Sequence, residues 1–191
     1  MTFAQKTAAS LEEEGLKKYP IEKAAITYEV TGDVTGKELL NFNSFGWKSE
    51  RHQAIDIDMY GIQKKQELYE LIDGDHSYRL STDSTYQMRL NKKWSELASY
   101  KSPEDVSEAI LFSMNGTYKG DSTLLGKTCQ VWTFDNKRLV EMWIWNGVML
   151  KRIAMLGKLR VVTTASEINL EPSFEANQFE IPEFYTLKED E

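Results

Sequence analysis

From Ile21 to Asn169 apolar residues tend to recur at every second position, and this period, interrupted once, restricts the fold more than any other feature of the chain. Successive side chains on a strand point to opposite faces, so alternation marks strands rather than helices. Ile26, Tyr28 and Val30 alternate with Thr27 and Glu29. After a turn-rich break at Gly32–Gly36, Leu40 and Phe42 alternate with Asn41 and Asn43. Beyond Gly46, Ile55 and Ile57 alternate with Asp56 and Asp58. Leu68–Ile72 closes on Asp73-Gly74, a hairpin signal, and Tyr78, Leu80, Tyr86, Met88 and Leu90 continue the pattern. Later runs are Thr128–Phe134, Arg138–Trp145, Val148–Met155 and Leu159–Asn169. Short strands following one another this closely predict an antiparallel meander.

Two helical segments flank and interrupt the meander. Phe3–Lys18 reads as a helix, with Thr2 and Gln5 as a capping box and Pro20 as its stop. Lys92–Tyr100 can be helical. Ser102-Pro103-Glu104-Asp105 then supplies an N-cap, a proline at the first position and acids in the first turn. The helix it starts carries Val106, Ile110, Leu111 and Met114 on one side and ends before Gly116. The expected class is α+β, one domain over 1–191. Its parts are an N-terminal helix within 1–20, a helical insertion at 91–117 and an acidic tail at 183–191.

Asn146-Gly147 is the clearest turn in the chain. A two-residue type I′ turn needs positive φ at both positions, which these residues supply. The register that follows pairs Trp145 with Val148, Trp143 with Leu150, Glu141 with Arg152 and Leu139 with Ala154. On the other face Ile144 meets Met149, Met142 meets Lys151 and Val140 meets Ile153. Both faces are largely apolar, whereas a one-sided antiparallel sheet has a polar outer face. Each face therefore needs a cover: a helix, a second layer, a partner or a ligand. Trp143 and Trp145 can serve as core under the central helix or as an apolar ligand surface.

Other motifs carry less. Gly120 and Gly126-Lys127-Thr128 resemble a phosphate-binding loop, but five residues separate the glycines where four are required, and Cys129–Trp132 continues as a strand instead of a helix. Asp73, Asp75 and His76 do not follow the calcium-loop pattern, because Tyr78 stands where its glycine belongs. Asp56 and Asp58 share a strand face that reads as solvated. His52 and His76 lie in polar strands, and Cys129, the single cysteine, reads as a buried hydrophobe. No nucleophile–base pair, metal set or cofactor motif stands out, so an enzyme is not expected and no cofactor or metal is assigned. The formal charge of −7 on 191 residues disfavours nucleic acid, which needs a basic face. The acids concentrate late: residues 171–191 hold seven against one lysine. No apolar run reaches the roughly 18 residues of a membrane span. The start shows no secretory leader.

Gly126–Trp132, Trp143–Lys151 and Phe179-Glu180-Ile181-Pro182 resemble the closing half of bacterial proteins of the outer-membrane lipoprotein carrier (Lol-type) superfamily, especially its uncharacterised Bacteroidetes-type envelope branch. Tyr28–Gly32 and Gly36–Leu40 are similar to that branch's opening strands. Where the family pattern closes on glycine and tyrosine, this chain has Phe184-Tyr185. The resemblance implies a curved antiparallel sheet, an unclosed half-barrel, with helices on its concave side and an acyl-chain cavity between. It also implies export to the periplasm or outer membrane, the signal being absent from this sequence, with room for an acylated cysteine ahead of Met1. The partner is then a lipid or acylated lipoprotein, with contact at a membrane surface and an oligomeric state that is not specified. Tyr28, Phe42, Trp143, Trp145 and Leu150 are expected to line the ligand surface, covered by Val106, Ile110 and Met114. The rival expectation is a structural or protein-interaction lipoprotein whose helices fill the concave face, with no ligand.

Overall fold

The computed structural model describes residues 5–59 and 62–188. The first half of the chain supplies β1 (Ala24–Gly32), β2 (Val34–Asn43), β3 (Lys48–Met59), β4 (Ile62–Asp73), β5 (His76–Leu80) and β6 (Thr85–Leu90). The second half supplies β7 (Gly116–Leu124), β8 (Lys127–Phe134), β9 (Leu139–Trp145), β10 (Val148–Leu156), β11 (Leu159–Asn169) and the short β12 (Thr186–Leu187). All belong to one open sheet, in the order β12-β6-β5-β4-β3-β2-β1-β11-β10-β9-β8-β7. Neighbours are antiparallel except β12, which runs parallel to β6. The two halves meet where β1 pairs with β11.

The insertion forms α2 (Lys93–Ala98) and α3 (Pro103–Ser113). The chain leaves β6 near one end of the sheet and re-enters at β7, the opposite edge, so the helices that make this crossing are drawn over the face between. Ser102 caps α3 by accepting from the Asp105 amide at 3.3 Å, with Pro103 in the first turn, as the local sequence dictates. Curvature is visible in one contact. The guanidinium of Arg152 on β10 lies 3.5 Å from Glu38 on β2, although β11 and β1 stand between them. On a flat sheet those strands would be about 14 Å apart. The sheet is a half-barrel, and the bulges at Thr27/Tyr28, Tyr118/Gly120 and Met149/Lys151 add twist.

Several sequence-based boundaries change. The N-terminal helix, α1, is only Ala8–Glu13, capped by Thr7; Thr2 and Phe3 lie outside the described residues. Glu12, Glu13 and Glu14 oppose the helix dipole at its C-terminal end, and Gly15 at φ 71° ends it before Pro20. The turn after β4 is Gly74-Asp75, one residue beyond Asp73-Gly74. The Gly120–Thr128 stretch belongs to the β7–β8 hairpin, whose turn is Leu125-Gly126 with φ of 51° and 71°. The central hairpin turns at Asn146-Gly147 as expected, with φ of 47° and 77°. Its register departs beyond Met149: a bulge pairs Trp143 with Lys151, and Glu141 faces Ile153 instead of Arg152.

The acids at the β4 turn organise the concave side. Asp73 accepts from the Ala8 amide at 2.7 Å, and buried Asp75 accepts from the Lys6 amide at 3.1 Å and the Ser95 hydroxyl at 2.5 Å. Both α1 and α2 are thus pinned to one turn. Leu11, Trp47, Ala98 and Val106 then pack the three helices together. The opposite face has a different cover. Residues 170–188 cross it as a strap, with Gln178 donating to Glu50 at 3.0 Å and Thr186–Leu187 adding beside β6.

Candidate functional site

Between the concave face and the helical cover lies a cavity of about 600 Å³. Strand alternation, with the two register shifts of β10, explains its walls. Leu40 on β2, Met142 and Ile144 on β9, and Met149 and Ala154 on β10 come from the sheet, while Ile110, Leu111 and Met114 come from α3. Trp94 and Tyr19 complete the apolar part. This volume lies within the range of small-molecule sites, roughly 300 to 1,000 Å³.

One wall is charged. Glu38 is almost fully buried, at 1 % side-chain exposure. It lies 3.4 Å from the Arg51 Nε and 3.5 Å from an Arg152 Nη, and accepts from the Gln53 amide at 2.7 Å. Two guanidinium groups share this carboxylate. Burial is the largest influence on Arg51 and works against its charge, but Glu38 together with Tyr28, Glu70 and Tyr19 outweighs it and holds the pKa above the ordinary guanidinium value. For Arg152 burial prevails and the value falls, with Glu38 opposing. Guanidinium groups remain protonated throughout, so both arginines are cationic. A buried glutamate between two arginines is tolerable because its charge is more than balanced. Three buried atoms here make no hydrogen bond: the Arg152 Nε, and the Arg51 Nε and Glu38 Oε1, which face each other at ion-pair distance. Beneath this group Tyr28 is fully buried and donates its hydroxyl to the Met149 carbonyl at 2.7 Å.

The structure distributes the sequence-expected lining residues over several places. Ile110 and Met114 lie on the cavity wall. Phe42 borders a small adjoining recess of about 70 Å³. Tyr28 and Leu150 belong to the packed core, and Val106 packs between the helices. Trp143 and Trp145 do not line the cavity. They alternate with Met142 and Ile144, which do, and sit half-buried beneath Lys151 and Lys127, at 4.2 and 4.8 Å from the ring centroids. Strand alternation explains the parting: with Met142 and Ile144 turned inward, the tryptophans face the other way, and the bulge sets Lys151, not Leu150, opposite Trp143. Arg51, Arg152 and Glu38 were not anticipated. Their signal was in the pattern: each stands in phase with buried apolar neighbours, Arg51 with Ile55, Glu38 with Leu40 and Arg152 with Leu150.

Other chemistry-bearing residues are placed elsewhere. Cys129 is buried, and burial pushes its thiol pKa up, away from a reactive thiolate. His52 lies against Tyr69 on the strap side, 5.9 Å between rings. His76 accompanies Tyr78 beside the β4 turn. Among the described residues no three histidine, cysteine, aspartate or glutamate side chains form a metal-holding group. Asp56 and Asp58 are exposed.

No family model and no curated protein matches the sequence. Among solved structures, the fold is similar to that of an uncharacterized conserved protein from Thermus thermophilus. The TM-score is 0.55 at 8 % identity, over 95 % of this chain and 98 % of that one. Lower similarity is found to MucB, with a TM-score of 0.43 at 12 % identity over 91 % of this chain and 62 % of that one. It is also found to LprF from Mycobacterium bovis, with 0.38 at 11 % identity over 88 % and 91 %. At 8 % identity the likeness to the Thermus thermophilus protein is one of fold.

Proposed function

We propose that the chain is a bacterial envelope protein that holds a lipid, or the acyl chain of a lipoprotein, in the half-barrel cavity as a carrier or sensor. The observation that carries this reading is the 600 Å³ cavity itself, which the crossing helices leave unfilled and whose methionine and isoleucine walls suit a hydrocarbon chain. Met114, Met142 and Met149 are unbranched and adaptable, so the walls can follow chains of different shape. The helical cover is attached through the packed α1–α2–α3 cluster and the β4 turn, and at the α3 end through Leu111, which packs with Trp132, Phe134 and Ile144. Envelope localisation and a membrane-surface contact follow from the sequence resemblance.

Lipid extraction of the purified protein followed by mass spectrometry tests the reading. So does titration with fatty acids of increasing length. Each buried methylene adds about 0.8 kcal/mol, so affinity climbs with length until the cavity is full. Trp94, on the cavity wall, is the fluorescent reporter. Binding that ignores chain length, or no binding at all, favours the self-filled structural protein.

A further inference from the structure

We infer that the occupant carries an anionic headgroup, a carboxylate or phosphate, held by Arg51 and Arg152, so that the ligand class is an anionic amphiphile and not a neutral one. This rests on the acyl-chain reading above and adds the headgroup to it. The first observation is charge. Among the described residues, Lys18, Arg51, Lys93, Arg138 and Arg152 line the cavity and no acid does, Glu38 lying buried against two of these arginines, in a chain whose formal charge is −7. Composition alone favours the opposite sign.

The second observation is how these cations are partnered. Arg51 and Arg152 share the single carboxylate of Glu38, which leaves the trio one positive charge in excess. Glu70, opposite Arg51 across β3 and β4, does not line the main cavity; it borders the small recess that Lys18 and Arg51 also line, adds its charge to that of Glu38 on Arg51, and accepts from Ser77 at 3.1 Å. The Lys18 ammonium sits over the Trp94 and Tyr19 rings, at 4.8 and 5.2 Å. Lys93 donates to the Ser113 hydroxyl. Among the described residues neither Lys18, Lys93 nor Arg138 has a carboxylate within ion-pair distance. The third observation is spare donor capacity. A guanidinium has five N–H groups. Arg152 uses one Nη on Glu38 and the Thr163 hydroxyl, at 3.5 and 3.4 Å, and Arg51 turns its Nε to Glu38 at 3.4 Å; both Nε atoms are buried, so the donors offered to the cavity are the remaining Nη–H groups, on side chains 31 % and 26 % exposed. An anion placed here receives donors already fixed in a poorly hydrated wall, the setting in which charge-assisted bonds are strongest. The apolar wall of Met142, Ile144 and Met149 takes the chain attached to it.

The test compares dodecanoate, dodecyl phosphate, 1-dodecanol and dodecyltrimethylammonium in competition with one fluorescent fatty acid. The two anions are expected to bind about tenfold or more tightly than the alcohol, and the ammonium most weakly. Arg152→Gln should bring the anions close to the alcohol while leaving the alcohol unchanged. Because that variant risks the fold, Glu38→Gln is the second. It removes the competing carboxylate at nearly constant shape and should tighten dodecanoate without affecting 1-dodecanol. Equal affinity of alcohol and anions, or no gain for anions in Glu38→Gln, overturns the headgroup inference and leaves the acyl-chain reading standing. Failure of all four chains to bind overturns that reading itself. Inorganic phosphate binding as tightly as dodecyl phosphate overturns the amphiphile in favour of a free anion.

Discussion

Tyr28 lies at the centre of the sheet with no exposed surface, and its hydroxyl serves a backbone group that the bulge has taken out of register. The β10 ladder shifts between Met149 and Lys151, and the Met149 carbonyl accepts the tyrosine proton instead. Tyr28→Phe leaves that carbonyl short of a partner and should cost about 1 kcal/mol, measured by urea unfolding. The same residue sets an alkaline limit. Burial pushes its pKa well above the ordinary value, and burial acts in the same direction on Tyr69. In the unfolded chain both phenols ionise near pH 10, while in the folded chain they keep their protons. The unfolded state then binds fewer protons, so stability is complete below about pH 10 and falls as the pH rises further. A melting temperature followed from pH 8 to 11 should show this fall, and Tyr28→Phe should make it shallower.

At the scale of elements, turn and strap behave differently under substitution. Asn146 and Gly147 both hold positive φ, and a Cβ on Gly147 comes within 3.0 Å of the Tyr19 ring. Gly147→Val should cost about 1 kcal/mol or more in thermal or urea melts, since a β-branched residue resists that backbone. The strap depends on Glu50, which accepts from Tyr69 at 2.7 Å, Gln178 at 3.0 Å and Asn41 at 3.2 Å. Glu50→Ala should loosen residues 170–188 and cost about 1 to 3 kcal/mol. The Thr186 and Lys188 amides, bonded to Ser84 and Tyr86, should then exchange faster in deuterium; unchanged protection there would place the anchor elsewhere. These elements also mark where reading the sequence stops. β8 to β11 declare themselves by alternation, and Ser102-Pro103 declares α3. β7 does not, because an edge strand with both faces largely wet has no apolar period to display. The strap has none either: its hold on the sheet is Gln178 to Glu50, 128 residues apart, a contact no local pattern encodes.

For the whole molecule the question is whether the arch is finished without an occupant. Its two edges, β7 and β12, never meet, and the concave face is bridged by Glu38 with its two arginines and by the crossing helices. The alternating pattern foretold two apolar faces needing covers. It could not foretell that the tail would cover one, nor that the helices would stop short of filling the other, because a cavity is the remainder between distant elements and has no sequence position of its own. Ala154→Phe probes that remainder directly. Ala154 faces the cavity beside Met142 and Arg152, so the added ring enters space already lined by side chains. If that space is available, the ring buries apolar area without displacing the core, and the melting temperature should hold or rise. Chain binding should fall tenfold or more, because each methylene excluded forfeits about 0.8 kcal/mol. If the helices already fill the concave face, the same ring overpacks it and stability drops by about 1 to 3 kcal/mol. Unfolding and fatty-acid titration of one variant thus separate the two architectures: retained stability with lost binding marks a carrier, and lost stability marks a self-filled core.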